Sequence, residues 1–170
     1  MTKTLEPTVN EIREEAAITK RILERVPGDR LSWRPHPKSM SLGQLAFHIA
    51  NIPGGIAKLL QRDEFDTSQG NFDPPQPQNV DEIRAAHEQG IRAAEEFLAD
   101  MTESAAQASW SLMTRGKVMF SKPRIVVLRS IMLNHWYHHR GQLSVYLRLL
   151  DVPVPVIYGR SADENPFARM

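Results

Sequence analysis

A chain of 170 residues with 41% apolar and 24% charged side chains can bury a sizeable core as one domain, residues 1–170, without covalent staples, and its composition excludes wholesale disorder. The net charge of +1 sets 21 basic against 20 acidic residues. That balance offers no concentrated basic face for a phosphate backbone or an acidic membrane surface, so neither nucleic acid nor membrane is expected as a partner.

Cysteine is absent, which excludes disulfides, thiolate ligands and an internal cysteine nucleophile; any thiol chemistry would need an external thiol. The N-terminal run MTKTLEPTVNEIREEAAITKRIL is too acidic and too weakly apolar for a signal peptide, and no apolar run approaches the ~18 residues of a membrane span. A cytoplasmic location is expected.

Thr8 to Val26 carries Val9, Ile12, Ala16, Ile22, Leu23 and Val26 at helical spacing and stops at Pro27-Gly28, which predicts a first helix. Asp29 to Met40 reads as a loop anchored by Trp33, because its two prolines disfavour helix. His36, between those prolines, belongs to that solvated loop. Ser41 is a plausible N-cap for a second helix with Leu42, Leu45, Ile49, Ile52, Ile56 and Leu59 on its apolar face, running to about Gln61. His48 shares that face. Pro53-Gly54-Gly55 predicts a kink or short break there. The polar, proline-rich stretch from Asp63 to Gln78 is the longest loop.

Asn79 or Asp81 caps a third helix in which Ile83, His87, Ile91, Ala94, Leu98 and Met101 recur at three- and four-residue steps. Ser109 to Phe120 alternates on either side of Arg115-Gly116-Lys117, so a small hairpin or an irregular crossover fits. The last helix is expected from Ser121, as N-cap, through Pro123 in the first turn to Leu150. At roughly 100° per residue, Leu128, Ile131, Met132, Leu143, Tyr146 and Leu149 share one side with His135 and His139. Tyr137, Arg140, Ser144 and Arg148 take the other, which reads as a solvated face or an interface. Gly141 in mid-helix hints at close approach by another backbone. The tail from Asp151 to Met170 is expected to lie extended across the bundle or a neighbouring subunit. Four amphipathic helices of this kind predict an all-α four-helix bundle whose sites are built from facing helices.

A lone histidine on an apolar face is usually a hydrogen-bonded core residue. Three together change the reading. His48 on the second helix, with His135 and His139 one turn apart on the last, could give three neutral nitrogens to one divalent metal and leave a position open. His138 lies only about 60° round from His135 and is the alternative partner; the i, i+4 pair aims more directly, although spacing alone does not settle it. His87 remains open as a fourth ligand, a partner behind the ligands or a core residue. Tyr146 and Gln142, close to the histidine stripe, could orient a ligand or simply pack. No catalytic side chain stands out.

The segment HWYHHRGQLSVYLRLLDVPVPVIYGRSADE, with LSWRPHPKSMSLGQLAFHIA upstream, resembles the DinB family, also called DinB/YfiT-like metalloproteins. The resemblance covers essentially the whole chain. It implies an up-down-down-up four-helix bundle, often a homodimer, that binds a divalent metal through His48, His135 and His139, with His138 as the adjacent non-ligand. His87 departs from that pattern. Imidazole ligands suit zinc and nickel alike. Relatives of the family include S-transferases and isomerases that use low-molecular-weight thiols such as bacillithiol or mycothiol, so the resemblance implies a metal-dependent enzyme of that type with a small-molecule substrate. A hydrolase using metal-activated water and a non-catalytic, metal-stabilised stress or binding protein are the alternatives.

Overall fold

The computed structural model describes residues 4–168. Helix α1, Glu6–Leu23, opens with Pro7 in its first turn, where the missing amide donor costs nothing, and turns Val9, Ile12, Thr19 and Ile22 inward. Helix α2, Leu42–Leu60, begins with a reciprocal cap. The Gln44 amide donates to Ser41 Oγ at 3.1 Å, and the Ser41 amide donates to Gln44 Oε1 at 3.0 Å. Helix α3, Val80–Asp100, is capped by Asn79, whose Oδ1 accepts from the Glu82 amide. A short helix α4, Glu103–Gln107, follows it.

Helix α2 runs through Pro53 without the break that proline and two glycines predicted. At that turn α2 meets its neighbour very closely. A Cβ on Gly54 would stand 2.8 Å from the Gly90 Cα, and a Cβ on Gly90 would stand 2.8 Å from the Ala50 carbonyl oxygen. The two backbones therefore touch directly, a contact that only glycine permits at both positions. Close approach occurs at Gly54 and Gly90. Among the described residues, a Cβ built on Gly141 meets nothing within 4 Å beyond its own stretch of helix.

The all-α expectation needs correction, because a three-stranded sheet accompanies the helices. Strand β1, Glu64–Asp66, lies parallel to β2, Ser109–Thr114, which pairs antiparallel with β3, Lys117–Pro123. The β2–β3 hairpin is one of the two forms predicted. Its turn needs left-handed backbone at Arg115 (φ 48°) and Gly116 (φ 73°), the geometry that matches strand twist.

The hairpin also moves the start of the last helix. Ser121 sits in β3 opposite Ser111 and is not a helix cap; Pro123 ends the strand, and α5, Arg124–Val127, begins after it. A wide π turn, Leu128–Leu133, joins α5 to α6, Asn134–Leu149. Within α6 the buried line runs through Trp136, Arg140, Leu143 and Leu147, and His135 and His139 lie to one side of it. Arg140, assigned to the solvated side, is 1% exposed, whereas Leu149, assigned to the apolar side, is 58% exposed.

Helix α2 packs on α3 and α6, and α1 packs on the same two, which closes a ring of four helices around one continuous core. The tail lies on its own bundle. Asp163 pairs with Arg148 at 2.5 Å, and Glu164 pairs with Arg21 and Arg25 at 2.9 and 2.8 Å. Its last two residues fall outside the described range. Among the described residues no helix is long and apolar enough to cross a membrane.

Candidate metal centre

His48 leaves the middle of α2, and His135 and His139 leave the first two turns of α6, where the two helices pack. One nitrogen from each ring lies within 4.8 Å of those of the other two. The Nε2 atoms of His48 and His135 face each other at 3.2 Å, and the His48 and His139 rings meet edge-on with centroids 4.6 Å apart. His139 Nδ1–H donates to Gln142 Oε1 at 2.7 Å, which leaves the Nε2 lone pair free. All three rings are half-buried.

Burial, then the neighbouring His139 and His135, lowers the pKa of His48 to about 4; burial, His139 and His138 do the same to His135. Burial lowers His139 as well. The trio is therefore neutral at physiological pH. Two facing ring nitrogens can share only one N–H, so lone pairs converge with too few donors to satisfy them. That donor set fits a divalent cation. Two nitrogens each about 2.0–2.1 Å from one ion stand about 3.4 Å apart at a tetrahedral angle, and the His48–His135 pair is at 3.2 Å. Among the described residues no carboxylate or fourth imidazole joins the group.

The other histidines lie elsewhere. His138 is exposed and lies outside the group of three nitrogens, whereas His139 lies within it. His87, 5% exposed, donates from Nε2 to the Ala16 carbonyl at 3.1 Å and lies beside Trp136 in the core. His36 is exposed in its loop, accepting at Nδ1 from the Lys38 amide. The Tyr146 hydroxyl donates to the Met40 carbonyl, and its ring packs edge-on against Trp33, so this side chain packs rather than points at a ligand.

A family model for the DinB family matches residues 1–166. This chain belongs to the DinB family. Two solved structures share the fold of this DinB-family chain. A DinB-like protein from Bacillus cereus ATCC 10987 is 23% identical, with a TM-score of 0.69 over 91% of this chain and 97% of that one. A DinB-like protein from Bacillus subtilis is 19% identical, with a TM-score of 0.66 over 90% of this chain and 98% of that one. Comparison with curated proteins finds no significant match.

What the sequence reading missed is the enclosure around the trio. His48 and His135 line a cavity of about 510 Å³ roofed by the 64–75 loop of this DinB-family chain. That roof is tied down at both ends. Asp66 accepts from the Arg115 amide at 3.0 Å and the Gly116 amide at 2.7 Å, which fastens β1 to the hairpin turn. At the far end Ser41 Oγ donates to Gln76 Oε1 at 2.5 Å, and Gln44 Nε2 donates to the Pro74 carbonyl at 3.0 Å. The buried Arg124 guanidinium donates to the Leu60 and Arg62 carbonyls at 3.0 and 2.9 Å, satisfying the C-terminal end of α2 where the loop departs. The available signals were Asp66 two residues before Ser68, an Asx-turn pattern, and Phe65 and Phe72 in an otherwise polar loop.

Proposed function

We propose that His48, His135 and His139 hold a divalent ion, zinc or nickel, and that the protein is a metal-dependent enzyme of the thiol S-transferase type. The observation that carries this reading is a trio of half-buried, neutral imidazoles with no fourth protein ligand among the described residues, two of which, His48 and His135, line a cavity large enough for a small molecule. When bound, a dication held by three neutral imidazoles keeps its full charge and makes an adjacent thiol or water more acidic. The side chains have separate tasks. Burial keeps His48 and His135 unprotonated as donors, Gln142 orients His139, and the cavity beside His48 and His135 gives the second substrate a place to lie. In the transfer itself a thiol proton passes to solvent, the sulfur forms a bond to an electrophilic carbon, and the leaving group departs with its electron pair. The thiol must come from outside, since the chain has no cysteine.

Hydrolysis is the second reading, favoured by one observation: Asp73 lines the cavity and is the carboxylate there that could take a proton from water. The experiment that separates the two is metal analysis of the purified protein followed by a screen of low-molecular-weight thiols against model electrophiles, with and without added zinc or nickel. Thiol-dependent, metal-dependent turnover supports transfer. Ester hydrolysis without any thiol supports the second reading, and purified protein that takes up no divalent metal overturns both.

A further inference from the structure

Behind the two histidines the cavity walls are mostly apolar, with Asn51, Asn71 and Asp73 as the other polar residues. Ile56 and Leu59 of α2 form one wall, and Phe65 and Phe72 form the roof, their rings edge-on with centroids 6.4 Å apart. A second chamber of about 190 Å³ continues beneath, closed by Trp110 of the hairpin and Ile131 of the π turn, and His135 lines both spaces. Trp110 turns its polar atom away, with Nε1–H donating to the Leu59 carbonyl at 3.3 Å. Among the described residues no lysine or arginine lines either space, and Asp73 at the rim is the sole acid.

Glycines shape the entrance. A Cβ on Gly70 would lie 3.0 Å from both Phe65 Cζ and Phe72 Cζ, so the bare backbone there lets the two rings close over the cavity. Gly55, seven residues after His48 on α2, lines the mouth, and a Cβ built on it meets no atom within 4 Å. Phe72 is 66% exposed although it lies over an apolar space, a placement that leaves large apolar area in water until something beneath covers its inner face.

From these observations we infer that the substrate is an uncharged small molecule with an aromatic or branched apolar body, lodged under Phe65 and Phe72 with its reacting polar end toward His48 and His135. This inference rests on the metal reading above for the position of the polar end, and on the cavity alone for the chemistry of the body. An anionic body would meet Asp73 and find no cation, and a cationic one would lose its hydration to hydrocarbon walls. The volume suits a molecule of ordinary ligand size, since small-molecule pockets run from about 300 to 1,000 Å³.

The test compares two probes with one ring body, uncharged N-phenyl-1-naphthylamine and anionic 8-anilino-1-naphthalenesulfonate, by fluorescence titration of the full-length, chelator-treated protein. The uncharged probe is expected to bind at least tenfold more tightly. Gly55→Leu adds its side chain at the mouth from a Cβ position free of contacts and replaces a poor helix former, so it should keep or raise the Tm while weakening the uncharged probe at least tenfold. Phe72→Ala should weaken it severalfold with the fold intact. Equal affinity for the two probes, or an affinity unchanged in both variants, overturns the inference. Zinc titration of the same samples reads the histidine trio independently. Gly55→Leu that keeps zinc but loses the probe supports the inference, whereas wild-type protein that takes the probe and no zinc overturns the metal reading and, with it, the assigned orientation.

Discussion

Each histidine in this chain has a chemistry set by the nearest atoms. His48 and His139 face one another across two helices, whereas His87 spends its donor on a carbonyl within the core. Substituting alanine for His48 or His139 should therefore abolish stoichiometric metal in the purified protein, and His138→Ala should leave it unchanged; elemental analysis decides. His87→Ala should keep the metal and cost stability of about 1–3 kcal/mol, the usual penalty when a buried hydrogen-bonded group is removed. The pH dependence follows with a definite sign. In the unfolded chain these imidazoles titrate near 6.5, but His48 and His135 are lowered to about 4 when folded. Between those values the unfolded state binds more protons, so metal-free protein is fully stable above pH 6.5 and loses stability as the pH falls toward 4. Calorimetry should show the Tm falling across that window, with a shallower fall in His48→Gln.

At the scale of elements, two contacts between helices hold the site in place. The α2–α3 crossing depends on Gly54 and Gly90, and Gly90→Ala would press a methyl group against the Ala50 carbonyl. A loss of about 1–3 kcal/mol in urea unfolding is expected, because a packed backbone can yield only by shifting. On the opposite side of α6 from the trio, Arg140 is buried against Glu15 at 2.5 Å and also bonds Thr19 and the Tyr158 hydroxyl, tying α6 to α1 and the tail. The Tyr137 and Tyr158 rings stack on its guanidinium. Arg140→Met leaves the Glu15 carboxylate buried without its partner and should cost about 3–5 kcal/mol. Adding Glu15→Leu should restore most of that loss, which identifies the unpaired charge as the cause.

For the molecule as a whole, an ion held by residues from α2 and α6 would crosslink two packed helices that are far apart in the chain. Divalent metal at about a hundred times its Kd should stabilise the fold by about 2.7 kcal/mol, seen as a chelator-reversible rise in Tm. His139→Ala should lose that rise, and His87→Ala should retain it from a lower baseline. Four helices, the cap at Ser41, a choice of caps for α3 and a choice between hairpin and crossover were legible beforehand, as were inward histidines on two helices, because helical period, capping residues and turn residues are local properties. The close α2–α3 contact, the buried Arg140 and the roofed cavity were not. Each arises between segments far apart in the chain: Gly90 against Ala50, Arg140 against Glu15, Asp66 against the turn at Gly116.

By itself the sequence determined the four long helical segments apart from the start of the last, which histidines face inward and that no internal thiol is present, since all three depend on residue type and short-range spacing. Only the tertiary structure decided that His139 rather than His138 approaches His48, that the Arg140 face of α6 packs on Glu15 and Thr19 of α1, and that an apolar chamber stands beside the trio. The physical reason is that convergence and enclosure depend on the angle and distance between packed elements, which no local spacing encodes.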